Sequence, residues 1–252
     1  MNTTKTFTAT ALTLSLLTSP FILADEEQNV DPSDVARAVT SFTVGLSNTG
    51  KVKAMGTMAM PINEQQQAMI VAEGNMTNEG KYSDARVQYF HVFNLDSASV
   101  PKVAASLDLI DNDMVSTAAG GGVAAINTDS ERFTVFLRAG ALAGEYKEDF
   151  IQSGGFGIND QTAIGGTAAA FLNVKTGDDG TFFTFNPEYT YIDGDLESST
   201  LKTTLRLATP LSQDKSRWGE LRVENTYGDV KSAVKTQHVD DTAAWFLYRA
   251  YF

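Results

Sequence analysis

The chain ends on AAWFLYRAYF, residues 243–252, with five aromatic side chains and a single charge in ten positions. An exposed terminus is normally polar and frays, so this stretch reads as a strand that is paired and covered to its tip. In an extended chain, Phe252, Ala250, Tyr248, Phe246 and Ala244 fall on one face. Tyr251, Arg249, Leu247 and Trp245 fall on the other. The first face carries no charge and the second carries Arg249.

The same period of two recurs upstream. It predicts strands at 38–47, 51–60, 66–76, 81–93, 102–110, 115–126, 132–142, 162–175, 181–192, 198–208, 217–227 and 242–252. Turn-rich pieces such as SNTG, TNEG, TGDDG and DGD separate them. Along 132–142, for example, Phe133, Val135, Leu137, Ala139 and Ala141 alternate with Arg132, Thr134 and Arg138. In 115–126 the three glycines 120–122 predict a bend or a close backbone approach. The count is twelve, with ten as the alternative.

Ahead of the strands stands MNTTKTFTATALTLSLLTSPFILA, in which Lys5 is the only charge. A positive start, an apolar run, Pro20 and small Ala24 before an acidic DEE form the order of a cleaved secretory signal, residues 1–24. Residues 25–37, DEEQNVDPSDVAR, are acidic and turn-rich and read as a short periplasmic tail or a plug. Residues 38–252 form one strand-rich unit. The whole chain has formal charge −12, and loss of Lys5 with the leader takes it to −13. That balance argues against nucleic acid as a partner. With no cysteine there is no disulfide framework, thiolate chemistry or lipidated N-terminal Cys. After the leader no window of 18 apolar residues offers a helical membrane span. The mean hydropathy of −0.15 decides nothing, because alternating apolar and polar positions cancel in an average.

Three features point to an all-β, transmembrane, antiparallel up-and-down barrel. The runs of about 9 to 13 residues are long enough to cross a bilayer at a tilt. One face of nearly every run is free of charge. An even strand number puts both ends on one side, and the longest connections, 143–161 and 228–241, then face outward, as outer-membrane barrels arrange them. The signal sequence, the alternation and a last strand ending on Phe252, with Tyr248 and Phe246 on its face, resemble bacterial outer-membrane β-barrel proteins. That resemblance implies an outer-membrane location among lipid and lipopolysaccharide, and a terminal strand recognised by the barrel-assembly machinery. Ala250 departs from it, standing where a larger apolar residue is common. Twelve strands in this length are similar, in size only, to the small porins for acidic oligosaccharides.

Residues capable of catalysis are sparse. His91 shares the lipid-side face with Tyr89 and Phe93, and the nearest serine on that face of its strand, Ser83, lies eight residues away. That is roughly 26 Å along a strand, far beyond hydrogen-bond reach. His238 lies beside Asp240 and Asp241 in a connection, where solvated loop polarity is the ordinary role. The turns DNDM (111–114) and DGDLE (193–197) lack the spacing of a twelve-residue calcium loop. No enzyme, metal site or cofactor is therefore expected, and a hydrolase is the least favoured reading.

The water-side face carries the informative set. Arg132, Arg138, Lys175, Lys202, Arg206, Arg222 and Arg249 point inward with Glu188, Glu220 and Glu224 among them. Earlier strands add Lys53, Glu73, Asp84, Arg86 and Asp108. Either these charges pair across a narrow interior and close it, or a cationic excess lines a channel for small polar or anionic solutes. A closed barrel whose outer loops bind partners or lipopolysaccharide is the alternative to the channel.

Overall fold

The structure is a computed structural model that describes Pro32, residues 39–128, Ser130 and residues 132–252. The proposed signal peptide and most of segment 25–37 lie outside the described residues.

Twelve antiparallel strands follow one another around a closed barrel. They are β1 Ser41–Ser47, β2 Val52–Asn63, β3 Gln66–Met76, β4 Tyr82–Asn94, β5 Lys102–Asp111, β6 Val115–Ile126, β7 Phe133–Tyr146, β8 Thr162–Lys175, β9 Phe182–Asp193, β10 Glu197–Pro210, β11 Arg217–Lys231 and β12 Thr236–Tyr251. A short helix, α1 (Glu148–Gly154), interrupts the β7–β8 connection.

The ring shuts where β1 pairs with β12, from Ser41↔Tyr251 to Ser47↔Trp245. Complementary sizes set this seam. Outward-facing Phe42 lies opposite Ala250, so the small residue noted in the sequence stands across from a large one. Inward-facing Gly45 lies opposite Leu247, and a Cβ on Gly45 would come within 2.8 Å of that leucine's side chain. Beside it, Arg249 Nε donates to Thr43 Oγ1 at 2.9 Å.

The strand faces divide as the alternation predicts. Leu46, Leu107, Leu221 and Phe246 stand 56–61% exposed on the outside, while Thr43, Lys53 and Asp108 are at most 2% exposed inside. A surface band of that kind is stable against hydrocarbon and would aggregate in water. In hydrocarbon no strand edge can be left open, and closure of the ring removes every edge.

The glycine run in β6 is a regular strand that makes the close approach. A Cβ on inward-facing Gly121 would sit 2.2 Å from Ala139 O, whereas the nearest neighbour of one on outward-facing Gly122 is 3.6 Å away. Turns on the side of the chain ends are tightened by side chains. Asp179 accepts from Thr181 N and Thr181 Oγ1, both at 2.9 Å. Those bonds, the backbone one first, hold its carboxyl below the usual carboxylate range.

Two predicted long loops need correction. Residues 228–231 and 236–241 are paired strand, Gly228↔Val239 through Lys231↔Thr236, so the connection shrinks to residues 232–235. Likewise β7 runs on to Tyr146, and the connection is 147–161 rather than 143–161. In both places the outward residues turn polar, as at Asp229, His238 and Glu145. The strands have left the apolar band, and the pattern that marks a strand inside it no longer applies.

Gly121→Val should prevent formation of the compact, heat-modifiable species on gels, because backbone stands where the side chain must go. Gly122→Val should fold normally. Equal folding of the two variants would contradict the packing of β6 on β7.

Candidate functional site: the charged lumen

The inward side chains enclose a cavity of about 700 Å³ that runs past the charged belt. Two ion-pair networks make up that belt. In the first, Arg86 Nε donates to Asp108 Oδ1 at 2.9 Å, and Arg138 Nη2 reaches Asp108 Oδ2 at 2.7 Å. Glu188 stands 3.7 Å from Arg86 and 3.9 Å from Arg138. Arg86 is on β4 and Glu188 on β9, five strands round the ring, so this pairing bridges the lumen. Its two cations balance its two carboxylates.

The second network does not balance. Lys53 pairs with Glu73 at 2.7 Å and approaches Glu224 at 3.6 Å, with its ammonium 4.6 Å from the centre of the Trp245 ring. Glu224 also lies 3.6 Å from Lys202 and 3.4 Å from Arg222. Glu220, 3% exposed, faces three guanidiniums: Arg222 at 2.6 Å, Arg249 at 3.5 Å and Arg206 at 3.8 Å. Only the Arg222 contact is short. Arg206 instead donates to Thr184 Oγ1 at 3.1 Å and stacks its guanidinium 4.9 Å from the Phe182 ring centre. Arg249 donates to the Tyr251 hydroxyl at 3.2 Å. Five cations thus share three carboxylates, and the surplus positive charge lies on the β10–β12 wall.

Of the sequence-selected residues, Arg138, Glu188, Lys202, Arg206, Arg222, Glu224 and Arg249 line the cavity. Glu220 is buried behind the arginines. Lys175 closes β8, opposite Phe182 of β9. Arg132 is the correction: it lies exposed in the turn before β7 and outside the cavity wall. Its place in the alternation suggested an inward strand residue, but the strand begins one residue later. At the seam, Phe246, Tyr248 and Phe252 keep to the outward face, with Phe252 N donating to Thr40 O at 3.1 Å.

The histidines stay outside the lumen. His91 hydrogen-bonds Tyr89 and Gln66, each at 3.1 Å, and stacks on Phe93 at 4.6 Å, without a serine partner. His238 meets Asp229 at 2.5 Å on the exposed β11–β12 hairpin. Among the described residues no cluster has the makings of a metal site.

The outer mouth holds a feature the alternation concealed. Ile151 of α1 and Phe156 pack inward on Val115, Leu142, Tyr146, Ile192, Leu196 and Val230. Gly155, at φ 67°, turns the chain after the helix in the left-handed region that glycine accepts freely. Ser232 Oγ donates to Phe156 O at 2.8 Å and pins the turn to the β11–β12 hairpin. The strand ends below supply apolar inward residues for this cap, which narrows one side of the mouth.

No protein-family model matches the chain, and no curated protein matches it in sequence. Solved structures do share the fold. The COG4313 outer membrane channel from Pseudomonas putida F1 superposes with TM-score 0.56 at 11% identity, covering 88% of this chain and all of that one. The NanC porin gives 0.57 at 7% identity, covering 84% of this chain and 99% of that one. The KdgM porin gives 0.50 at 10%, covering 84% and 98%, and a further KdgM structure is a complex with disordered oligogalacturonate. At such identities the likeness is one of fold.

Glu220→Gln leaves three guanidiniums around a neutral amide and should cost on the order of 3 kcal/mol in urea unfolding from lipid vesicles. Arg206→Gln removes only the most distant of the three and should cost about 1 kcal/mol or less. Equal losses would contradict the central place of Glu220.

Proposed function

We propose that this protein is an outer-membrane barrel acting as a narrow, passive, non-enzymatic channel for small polar solutes, with a preference for anions. The observation that carries the reading is the crowding of Arg206, Arg222 and Arg249 around the single carboxylate of Glu220. In a confined volume such an excess raises the local concentration of anions and repels cations. Among all charged residues lining the cavity, Lys and Arg outnumber Asp and Glu nine to six, although the chain as a whole is strongly acidic. The described fold-mates are porins and an outer membrane channel, one of them in complex with an acidic oligosaccharide.

In this reading the apolar band meets membrane lipid, the outer connections face lipopolysaccharide, and the strand ending on Phe246, Tyr248 and Phe252 is what the barrel-assembly machinery engages. The second reading is a closed barrel serving contacts at its outer loops. The Arg86–Glu188 pairing across the lumen and the α1 cap favour it.

Planar-bilayer recording separates the two. The refolded protein should give stepwise conductance, and under a KCl gradient the reversal potential should take the sign of chloride preference. In the double variant Arg206→Gln/Arg249→Gln that potential should move toward zero. A bilayer that stays silent at every salt concentration would favour the closed barrel.

A further inference from the structure

The lumen is two-faced at the end where β1 begins and β12 ends. Met69, Phe90, Val92, Val123, Phe136 and Phe171 all point inward and all line the cavity. Each lies within a few residues of the end of its strand on that side: near the starts of β3 and β7, and near the ends of β4, β6 and β8. They form an apolar wall over β3, β4 and β6–β8, with Ala104 and the cavity-lining Lys102 between them on β5. Arg206, four residues from the end of β10, and Arg249, two from the end of β12, line the same cavity at the matching level. In a ring of twelve, β10 stands opposite β4 and β12 opposite β6. The surplus guanidiniums therefore face the apolar wall across the lumen.

Water on such a wall gains nothing, and a sugar's hydroxyls find few partners there. An organic body loses its own hydration favourably against it. A carboxylate on that body finds two guanidiniums whose contacts to Glu220 are long and whose charge that one carboxylate does not cancel. We propose that this end of the lumen is a binding site for carboxylates with an apolar body, with Arg206 and Arg249 taking the charge and the Phe90–Phe136 wall taking the hydrocarbon. This inference rests on the anion-channel reading and narrows it, away from acidic sugars. Pro32 is buried and lines the same cavity.

The test compares cyclohexanecarboxylate with glucuronate: two six-membered rings of equal charge that differ in ring hydroxyls and in the sugar's ring oxygen. Each is titrated against the chloride current of the mature protein in a planar bilayer, with cyclohexylmethanol as the uncharged control. Cyclohexanecarboxylate should block at a concentration about tenfold lower than glucuronate, and the alcohol should not block. Phe90→Asn and, independently, Met69→Gln should erase that difference while leaving chloride preference in place. Arg249→Gln should weaken block by both acids. Equal block by the two acids, with chloride preference intact, overturns this inference and spares the channel. Absence of block by either acid, with chloride preference intact, also overturns it and spares the channel. A silent bilayer overturns both.

Discussion

The pairing of β1 with β12 is the constraint from which the rest of the structure follows. An unpaired N–H or C=O in hydrocarbon costs several kcal/mol, with no water to take its place. A sheet with one open edge would carry a row of them. Seven residue pairs close the ring, and the side chains there fit by size: Phe42 across from Ala250, Leu247 over Gly45. Once the ring is shut, each residue's face is fixed by parity, because a slip of one position would send Arg249 and Glu220 into lipid.

Closure also creates the charged interior. Side chains that would be solvated on an open sheet are turned inward around a cavity of about 700 Å³. They respond by pairing, and one network balances while the other does not. Arg86, Arg138, Asp108 and Glu188 neutralise one another across the lumen. Around Glu220 the arginines outnumber the acid, so the field of that wall stays positive. A chain with formal charge −12 thereby encloses a lumen whose lining carries more cations than acids. Its acidity is displaced to turns and connections such as Asp113, Asp160, Asp179 and Asp214.

Much of this was legible in the sequence wherever the two environments differ most. Alternation located all twelve strands and assigned Arg138, Lys202, Arg206, Arg222 and Arg249 to the inside, because lipid tolerates no charge on the other face. It failed at strand ends, for one physical reason in each case. Beyond the apolar band the outward face meets water and turns polar, as at Asp229 and His238, so 228–231 and 236–241 look like loop although they are paired. Arg132 obeyed the parity but precedes the strand. The α1 cap escaped notice because its partners, Val115, Leu142, Tyr146 and Ile192, are inward apolar residues on strands whose inner faces were expected to be polar. Their apolar character was the available signal. Which cations keep surplus charge depends on distances across the ring, which no local pattern contains.

Because the chain has no cysteine, single cysteines can be placed without background. The most direct measurement is labelling of such variants in lipid vesicles by a small, charged, water-soluble thiol reagent, position by position along β10 and β11. Rapid labelling at Thr200, Thr204 and Thr226, with protection at Leu201, Leu205 and Val223, is the predicted result. Equal labelling of both sets, or protection of both, would contradict a wall with lipid on one side and an aqueous lumen on the other.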